Sequence, residues 1–218
     1  MATLGNKRNI IVGAASVFIG PSGQYVDPTA DPLVPVAPAV EAGESYRDTL
    51  DAHADWRNVG YTQDGLEVST DPSYGEVEVD QLLDAAVIFK DGMGLSISTT
   101  FAEATLENLL IAWGQAGEPT ESGSGGTLVR EIDIEAGNLG EAPLERGLIA
   151  VGNAPKPPGA GGGINNYGER TYHAYRVLSV ESTAVSLARA DASTIPVTFR
   201  ALPEDDGKYG IVRDRVVT

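Results

Sequence analysis

Alternating apolar and polar positions run through most of the chain and predict β-strands. Between residues 95 and 101 the odd positions are Leu, Ile, Thr and Phe, while the even positions are Ser, Ser and Thr. This alternation is typical of a half-buried strand, because successive side chains point to opposite faces. The same reasoning predicts strands at 9–20, 76–80, 85–89, 131–135, 144–152, 170–180, 184–190, 195–202 and 209–217.

One segment has helical spacing instead. Between about Ala104 and Trp113 the apolar residues recur every three or four positions, which predicts one apolar stripe on a short helix. Gly114 follows, and glycine suits the C-terminal cap of a helix. A helix of about ten residues is too short to persist alone, so it must pack on the sheet. The stripe consists of Leu106, Leu109, Leu110 and Trp113.

Three segments lack either period and are predicted as loops: 21–55, 117–126 and 153–166. The first holds five prolines and is longer than usual connections in compact domains, which indicates either disorder or a role outside its own fold. We detect no internal repeat. The prediction is a single domain spanning 1–218, mainly β, built as a β-sandwich or barrel with one short α-helix packed on the sheet and long loops.

Two predicted strands carry a row of carboxylates on one face. In the first the acids alternate with Val77 and Val79, and in the second with Ile132 and Ile134. Such a row is either the wet face of a sheet or a surface that repels anions. The rows are Glu76, Glu78 and Asp80, and Glu131, Asp133 and Glu135.

The net charge and composition of the chain exclude some classes of binding partner. The chain has 31 acidic and 15 basic residues, a net charge of −16, which argues against a protein that reads DNA sequence. Cysteine is absent, which excludes disulfides and thiolate metal sites. No apolar run approaches the roughly 20 residues of a membrane helix. Lys7 and Arg8 precede an apolar run as in an export signal, but Pro21 follows instead of a small-residue cleavage site, which favours a buried first strand.

Residues suited to catalysis are few. His53 and His173 are the two histidines; the first falls in the predicted long loop and the second in a strand, and neither has the neighbours of a zinc site. The glycine-rich segments lack the Lys and Ser/Thr of a phosphate-binding loop. The acidic segments at 27–31 and 204–210 lack the ligand spacing of a calcium loop. We therefore predict no catalytic residue, no metal and no cofactor.

Three motifs together resemble the major tail tube proteins of long-tailed bacteriophages. They are the Gly60-Tyr61-Thr62-x-Asp64-Gly65 turn, the Glu76-x-x-Val79-Asp80-Gln81 segment and the strand-to-helix junction from Phe101 to Leu109. The resemblance covers chiefly 9–20 and 56–114. The loop at 21–55 departs from the shorter members of that family.

The resemblance implies a structural protein of the virion, assembled in the host cytoplasm. Six subunits would form a ring by joining their sheets edge to edge, and rings would stack into a tube through which double-stranded DNA passes. Its partners would be copies of itself, a tape measure protein in the channel, and the tail terminator and distal tail proteins at the two ends. The six carboxylates of the two rows would line the channel, and Tyr25, Val34, Tyr46 and Leu50 of the long loop would contact the next ring.

Other functions stay open on the residues alone. Eight tyrosines and two tryptophans could stack on sugars in a carbohydrate-binding β-sandwich module. Paired carboxylates could act as acid and base in a hydrolase. A head decoration or tail-completion protein of a phage would differ from a tube subunit in ring size and stacking.

Overall fold

The computed structural model describes residues 13–20, 44–81, 84–124, 127–140, 142–155, 167–181, 183–185, 189 and 192–217. These residues form ten strands and two short helices. In chain order they are β1 (Ser16–Ile19), α1 (Tyr46–Ala52), β2 (Arg57–Asn58), β3 (Thr62–Val77), β4 (Val87–Phe101), α2 (Leu106–Ala112), β5 (Thr120–Ser124), β6 (Thr127–Glu131), β7 (Arg146–Ala154), β8 (Tyr167–Ser179), β9 (Ile195–Leu202) and β10 (Gly210–Val217).

Eight strands form one antiparallel sheet in the order β2-β1-β7-β8-β9-β4-β3, and β10 is the eighth strand, paired to β8. β10 runs along Tyr167–Ala174 of β8, while β9 pairs with the following part, Arg176–Ser179. The remaining two strands, β5 and β6, form a separate hairpin. Within the described chain, β3 and β2 are therefore the two ends of the large sheet.

The main core lies on one face of this sheet. β9 alternates perfectly between buried and less buried positions, so that Ile195, Val197 and Phe199 point inward. They pack with Ile97 and Phe101 of β4 and with the inner side of α2. Burying an apolar side chain of this size stabilises the fold by about 1.5–3 kcal/mol.

A second, smaller core lies on the opposite face of the same sheet. Phe18 of β1 and Ile149 and Val151 of β7 pack there against Leu50 of α1 and Trp56. Because both faces of β7 are covered, its residues 148–151 are apolar without alternation and fully buried, as expected for a strand inside a two-sided core.

The structure confirms the mainly β fold and the helix at 104–113, and β9 has the bounds that the sequence predicts. Several predictions are wrong. The segment 21–55 contains a helix, α1, so the described chain has two helices; the segment 117–126 contains β5; and residues 153–154 of the third predicted loop belong to β7. Residues 87–89 and 95–101 belong to one strand, β4, while residues 85 and 86 precede it. The described residues of the predicted strand 184–190 are not in a strand. Residues 21–43, 125–126 and 156–166 of the predicted loops, and residues 9–12 of the predicted first strand, lie outside the described part.

Both described helices have seven residues. Neither is long and apolar enough to cross a lipid bilayer.

Candidate functional site

The hairpin formed by β3 and β4 extends well past the rest of the sheet. The two strands pair from Thr62–Phe101 to Val77–Val87, but β9 pairs only with residues 96–101 of β4. Residues 70–77 and 87–95 therefore form a two-stranded ribbon with no third strand in the described chain, about 30 Å long at roughly 3.3 Å per residue. We call the ribbon and the described residues of its connection, 78–81 and 84–86, the arm.

The arm exposes apolar side chains on its surface. Val77 pairs directly with Val87, and Gly75 pairs with Phe89, so these four residues share one face of the ribbon. An isolated two-stranded ribbon is marginally stable in water, and contiguous exposed apolar surface usually marks an interaction site. The exposed large apolar side chains of the arm are Tyr74, Val77, Val79, Val87, Ile88, Phe89 and Met93.

The carboxylate row near the arm's end is not the strand ladder that the sequence predicts. Glu76 lies in β3, but the strand ends at Val77, and Glu78 and Asp80 follow in the connection. The physical reason is pairing: the ladder closes with the Ala86 amide donating to the Val77 carbonyl at 2.8 Å, and none of the described residues forms a partner strand beyond it. All three carboxylates are exposed.

The second carboxylate row, Glu131, Asp133 and Glu135, is not a row along one strand either, because strand pairing ends at its first residue. Glu131 is the last residue of β6 and pairs with Thr120, the first residue of β5. Pro119 precedes Thr120 and has no amide hydrogen to extend the pairing. Asp133 and Glu135 therefore lie outside any strand, although all three carboxylates are exposed.

The predicted apolar stripe of the helix at 104–113 is partly confirmed. Leu110 is buried, Leu109 packs against the main core and Leu106 is half-buried. Trp113 is wrongly placed in the stripe: it is the C-cap residue and 36% of its surface is exposed. The helix ends there because Gly114 has φ +64° and its amide donates to Ile111, while the Gln115 amide donates to Leu110; these are the two bonds of a Schellman cap.

A buried asparagine that the sequence does not single out fixes the start of α2. Asn108 is fully buried, and its side-chain amide donates to the carbonyls of Val59 and Glu103, each at 2.8 Å. Its side-chain oxygen accepts from Arg57 Nη2 at 3.1 Å. Because both ends of the side chain are satisfied, it joins the helix to the segment before β3. Thr105 caps the helix by accepting from the Asn108 amide.

Two motifs of the tail-tube resemblance meet in space. The Tyr61 amide donates to Glu103 Oε1 at 2.9 Å, and the Ala102 amide donates to the Tyr61 carbonyl at 2.8 Å. Asp64 and Gly65 both have positive φ and form a bulge in β3, where Thr99 Oγ1 donates to the Gly65 carbonyl. The predicted turn is therefore a bulge at the base of the arm.

Two residues predicted to contact the next ring lie within the chain's own fold. Leu50 is fully buried in the second core and Tyr46 packs on that core, because both belong to α1 rather than to a loop. Helix α1 is held by Ser45, whose hydroxyl accepts from the Arg47 amide and donates to Glu169 Oε1 at 2.6 Å. Tyr25 and Val34, the other two candidates, lie outside the described residues.

A cleft of about 820 Å³ lies between α1, α2 and the β5–β6 hairpin. Arg57, Arg130 and Arg146 line it together with Glu107. Glu107 accepts from Arg130 and lies 3.8 Å from Arg57. Burial opposes ionisation of Glu107, but the hydrogen bond from Arg130 and the nearby guanidinium charges outweigh it, so its pKa lies below the ordinary value.

Arg146 differs from the other two arginines of the cleft. It is 8% exposed, and Nη2 donates to the Gln115 carbonyl at 2.6 Å. Burial, and after it the positive charge of Arg57, lower the pKa of Arg146 to about 10. No carboxylate of the described chain forms an ion pair with it. The sequence does not indicate that Arg146 lacks an ion pair, because this property depends on contacts between distant segments.

The two histidines occupy positions in which they contribute to helix capping and to packing. His53 is the C-cap of α1, and its Nδ1 accepts from the Asp55 amide at 3.3 Å. His173 is buried among aromatic rings, with ring centroids 6.0 Å from Trp56 and 4.9 Å from Tyr175. Burial, and after it Arg213, lower the pKa of His173 to about 4. Among the described residues no group of three or more His, Asp or Glu is placed to hold a metal ion.

Comparison with known proteins adds no relative: no family model matches this chain, and no curated protein matches its sequence.

Proposed function

We propose that this chain is a structural subunit that assembles with copies of itself into six-membered rings, which stack into the tail tube of a long-tailed bacteriophage. The observation that carries the proposal is the arm: a ribbon about 30 Å long at roughly 3.3 Å per residue, with an apolar face exposed to water. A surface of this kind gains stability when another protein covers it.

Open strand edges support assembly between like copies. The outer edge of β3 has no partner strand in the described chain, and it is 16 residues long. A long exposed edge pairs readily with a strand of another molecule. A head-to-tail contact of this kind closes into a ring when its rotation allows, and rings can stack further into a filament.

The charge of the chain suits a channel for DNA. With a net charge of −16, the assembled wall would repel phosphates, whereas a basic wall would hold the duplex at every turn. We propose that the protein has no enzymatic role, needs no cofactor, resides in the virion, and contacts the tape measure protein within the tube and the terminator and distal tail proteins at its ends. The exposed carboxylates are the candidates for the channel wall.

The test uses exposed β-branched residues of the arm. Val77→Thr, Val87→Thr and Ile88→Thr, made together, keep strand propensity but remove apolar surface. A matched control replaces three exposed residues outside the arm: Leu128→Thr, Val129→Thr and Ile134→Thr. Sedimentation velocity is expected to show six-subunit or larger species for the parent and the control, and monomer for the arm variant at an unchanged melting temperature. A parent that remains monomeric up to millimolar concentration overturns the proposal.

A further inference from the structure

We propose that the arm of one copy of this chain adds as a strand to the open edge of β10 in a second copy. Residues 87–90 of the arm would pair antiparallel with residues 210–213, and Ile88 would lie opposite Val212. This inference rests on the proposed self-assembly and identifies two edges that would join the copies.

The first edge belongs to β10, which has a partner strand on one side only. In the described chain β10 pairs with β8 and with no other strand. The Tyr175 amide donates to the Tyr209 carbonyl at 3.0 Å, and hydrogen-bonded pairs alternate along an antiparallel ladder. Ile211 therefore directs its backbone groups to β8, whereas Gly210 and Val212 direct theirs away from it. The outer edge of β10 thus presents amides and carbonyls that another strand can bind.

The second edge is the side of β4 in the arm that faces away from β3. Because β9 covers this side along residues 96–101 only, residues 87–95 have β3 on one side and no strand of the described chain on the other. At the base of the arm the Met93 carbonyl accepts a hydrogen bond from the Tyr209 hydroxyl. A side chain rather than a strand amide fills this position, and β4 does not pair with β10 of its own copy.

The two edges are oriented so that copies can join head to tail. β7 occupies one side of β8, so β9 and β10 both lie on its other side, and the free edge of β10 faces away from β8. The free edge of β4 in the arm faces the opposite way, towards the side on which β9 pairs. β10 also runs antiparallel to β4, because β9 and β10 are both antiparallel to β8 and β4 is antiparallel to β9. Two sheets can therefore join with their faces aligned, and a contact between two different surfaces repeats into a ring or a filament.

Ile88 and Val212 project on the same side of their sheets. Ile88 pairs with Glu76, and β3 has no inserted residue between 66 and 77, so Glu76 shares the side of Val68, which pairs with a core residue of β4. Val212 pairs with Tyr172, which packs on the same core. Side chains on one side of an antiparallel pair contact each other directly.

The register with Ile88 opposite Val212 covers exposed apolar surface. Ile88 is 62% exposed and Val212 is 58% exposed, and the same register places the exposed Phe89 opposite Ile211 on the other side of the strands. A shift by two residues would instead place Ile88 opposite the charged Asp214. No position in the register opposes like charges; its pairs are Val87–Arg213, Ile88–Val212, Phe89–Ile211 and Lys90–Gly210.

The absence of cysteine makes a direct test simple. Ile88→Cys in one protein and Val212→Cys in another place one thiol on each edge. Residues directly opposite in an antiparallel pair have Cα atoms about 4.5–5.5 Å apart, within the roughly 7 Å that a disulfide requires. Val180→Cys, at an exposed position beyond the other end of β8, replaces Val212→Cys as the matched control.

We expect the Ile88–Val212 pair, mixed and oxidised, to give at least about tenfold more mixed dimer than the Ile88–Val180 pair. Tenfold corresponds to one or two net backbone hydrogen bonds. Intact mass separates the mixed dimer from dimers of either protein with itself.

A proline substitution tests the backbone pairing separately. Because Val212 directs its amide away from β8, Val212→Pro removes a donor of the open edge without removing a hydrogen bond between β10 and β8. Val212→Thr keeps the amide and is the matched control. In sedimentation velocity we expect Val212→Pro to assemble only at a concentration at least about tenfold higher than Val212→Thr. If Val212→Pro lowers the melting temperature, the disulfide yields decide alone.

Two results overturn the inference: a mixed-dimer yield equal to that of the control pair, or equal assembly of folded Val212→Pro and Val212→Thr. If the parent protein still forms rings in either case, the arm pairs elsewhere and the proposed function stands. If the parent does not assemble at all, both proposals fall together.

Discussion

Gly60 lies directly against the carboxylate of Glu103: a methyl group at Gly60 would come within 2.2 Å of Oε1, the oxygen that accepts the Tyr61 amide hydrogen bond. Gly60 also has φ +83°, which glycine adopts without strain. The two residues come from different segments of the chain, and their contact connects the base of the arm to the start of α2.

Gly60→Ala is therefore expected to destabilise the fold more than Gly65→Ala. Gly65 has φ +79°, but a methyl group added there would meet no atom within 4 Å, so its substitution costs about 1–2 kcal/mol from backbone strain. Gly60→Ala adds the displaced carboxylate and its hydrogen bond, about 1.5 kcal/mol more. Chemical denaturation measures both. In a Glu103→Ala background the two substitutions should cost the same; a persisting difference would rule out this coupling.

Asn108→Leu is expected to cost about 2–4 kcal/mol, because it leaves the Val59 and Glu103 carbonyls without the side-chain donor they share and removes one hydrogen bond of Arg57. Gln63→Leu, at an exposed position of β3, serves as the control and should change the free energy of unfolding by less than about 0.5 kcal/mol. Urea denaturation of both variants gives the comparison. Similar values for the two would show that Asn108 does not hold the junction.

Ser45→Ala should weaken α1 specifically. It removes the helix cap, worth about 1 kcal/mol, and one of the hydrogen bonds to the buried Glu169 carboxylate. Hydrogen exchange is expected to accelerate at the amides of α1 while those of β9 change little. Ser122→Ala, on the exposed hairpin, is the control. Uniform acceleration across both elements would indicate a global effect instead.

His173 predicts a loss of stability in mild acid. Its folded pKa of about 4 lies below the unfolded value of about 6.5, so the unfolded chain binds the proton first. Stability is therefore fully present above pH 6.5 and falls as the pH drops towards 4, by up to about 3 kcal/mol. His173→Phe keeps an aromatic ring and should reduce the difference in unfolding free energy between pH 7 and pH 5. An unchanged difference would contradict this assignment.

Local sequence patterns predicted the elements whose burial follows their own hydrophobic periodicity. β9 alternates cleanly and packs on one face, and the helix at 104–113 has both an apolar stripe and a capping glycine. Helix α1 was missed although Ser45 and Asp48 are a typical helix start, because the prolines before it dominate the segment. Trp113 has the spacing of the apolar stripe. It is the C-cap residue, however, because Gly114 ends the helix directly after it, and the Trp113 side chain stays partly exposed.

The arm and the surroundings of Arg146 depend on pairing between distant segments, which the alternation of apolar and polar residues along the chain does not reveal. Glu78 and Glu76 alternate with valines in the same way, yet only Glu76 lies in a strand, since β4 provides no partner beyond Val87. The projection of the arm follows from β9 being shorter than β4, which no local pattern contains. The isolation of Arg146 likewise depends on where the carboxylates of other segments lie.

The central claim is that copies of this chain close into a hollow ring, and negative-stain electron microscopy of the concentrated pure protein tests it most directly. The account predicts end-on views of six-fold rings with an open centre and side views of stacked rods, which the Val77→Thr, Val87→Thr and Ile88→Thr variant does not form. Uniform single particles of about one chain's size at every concentration would contradict it.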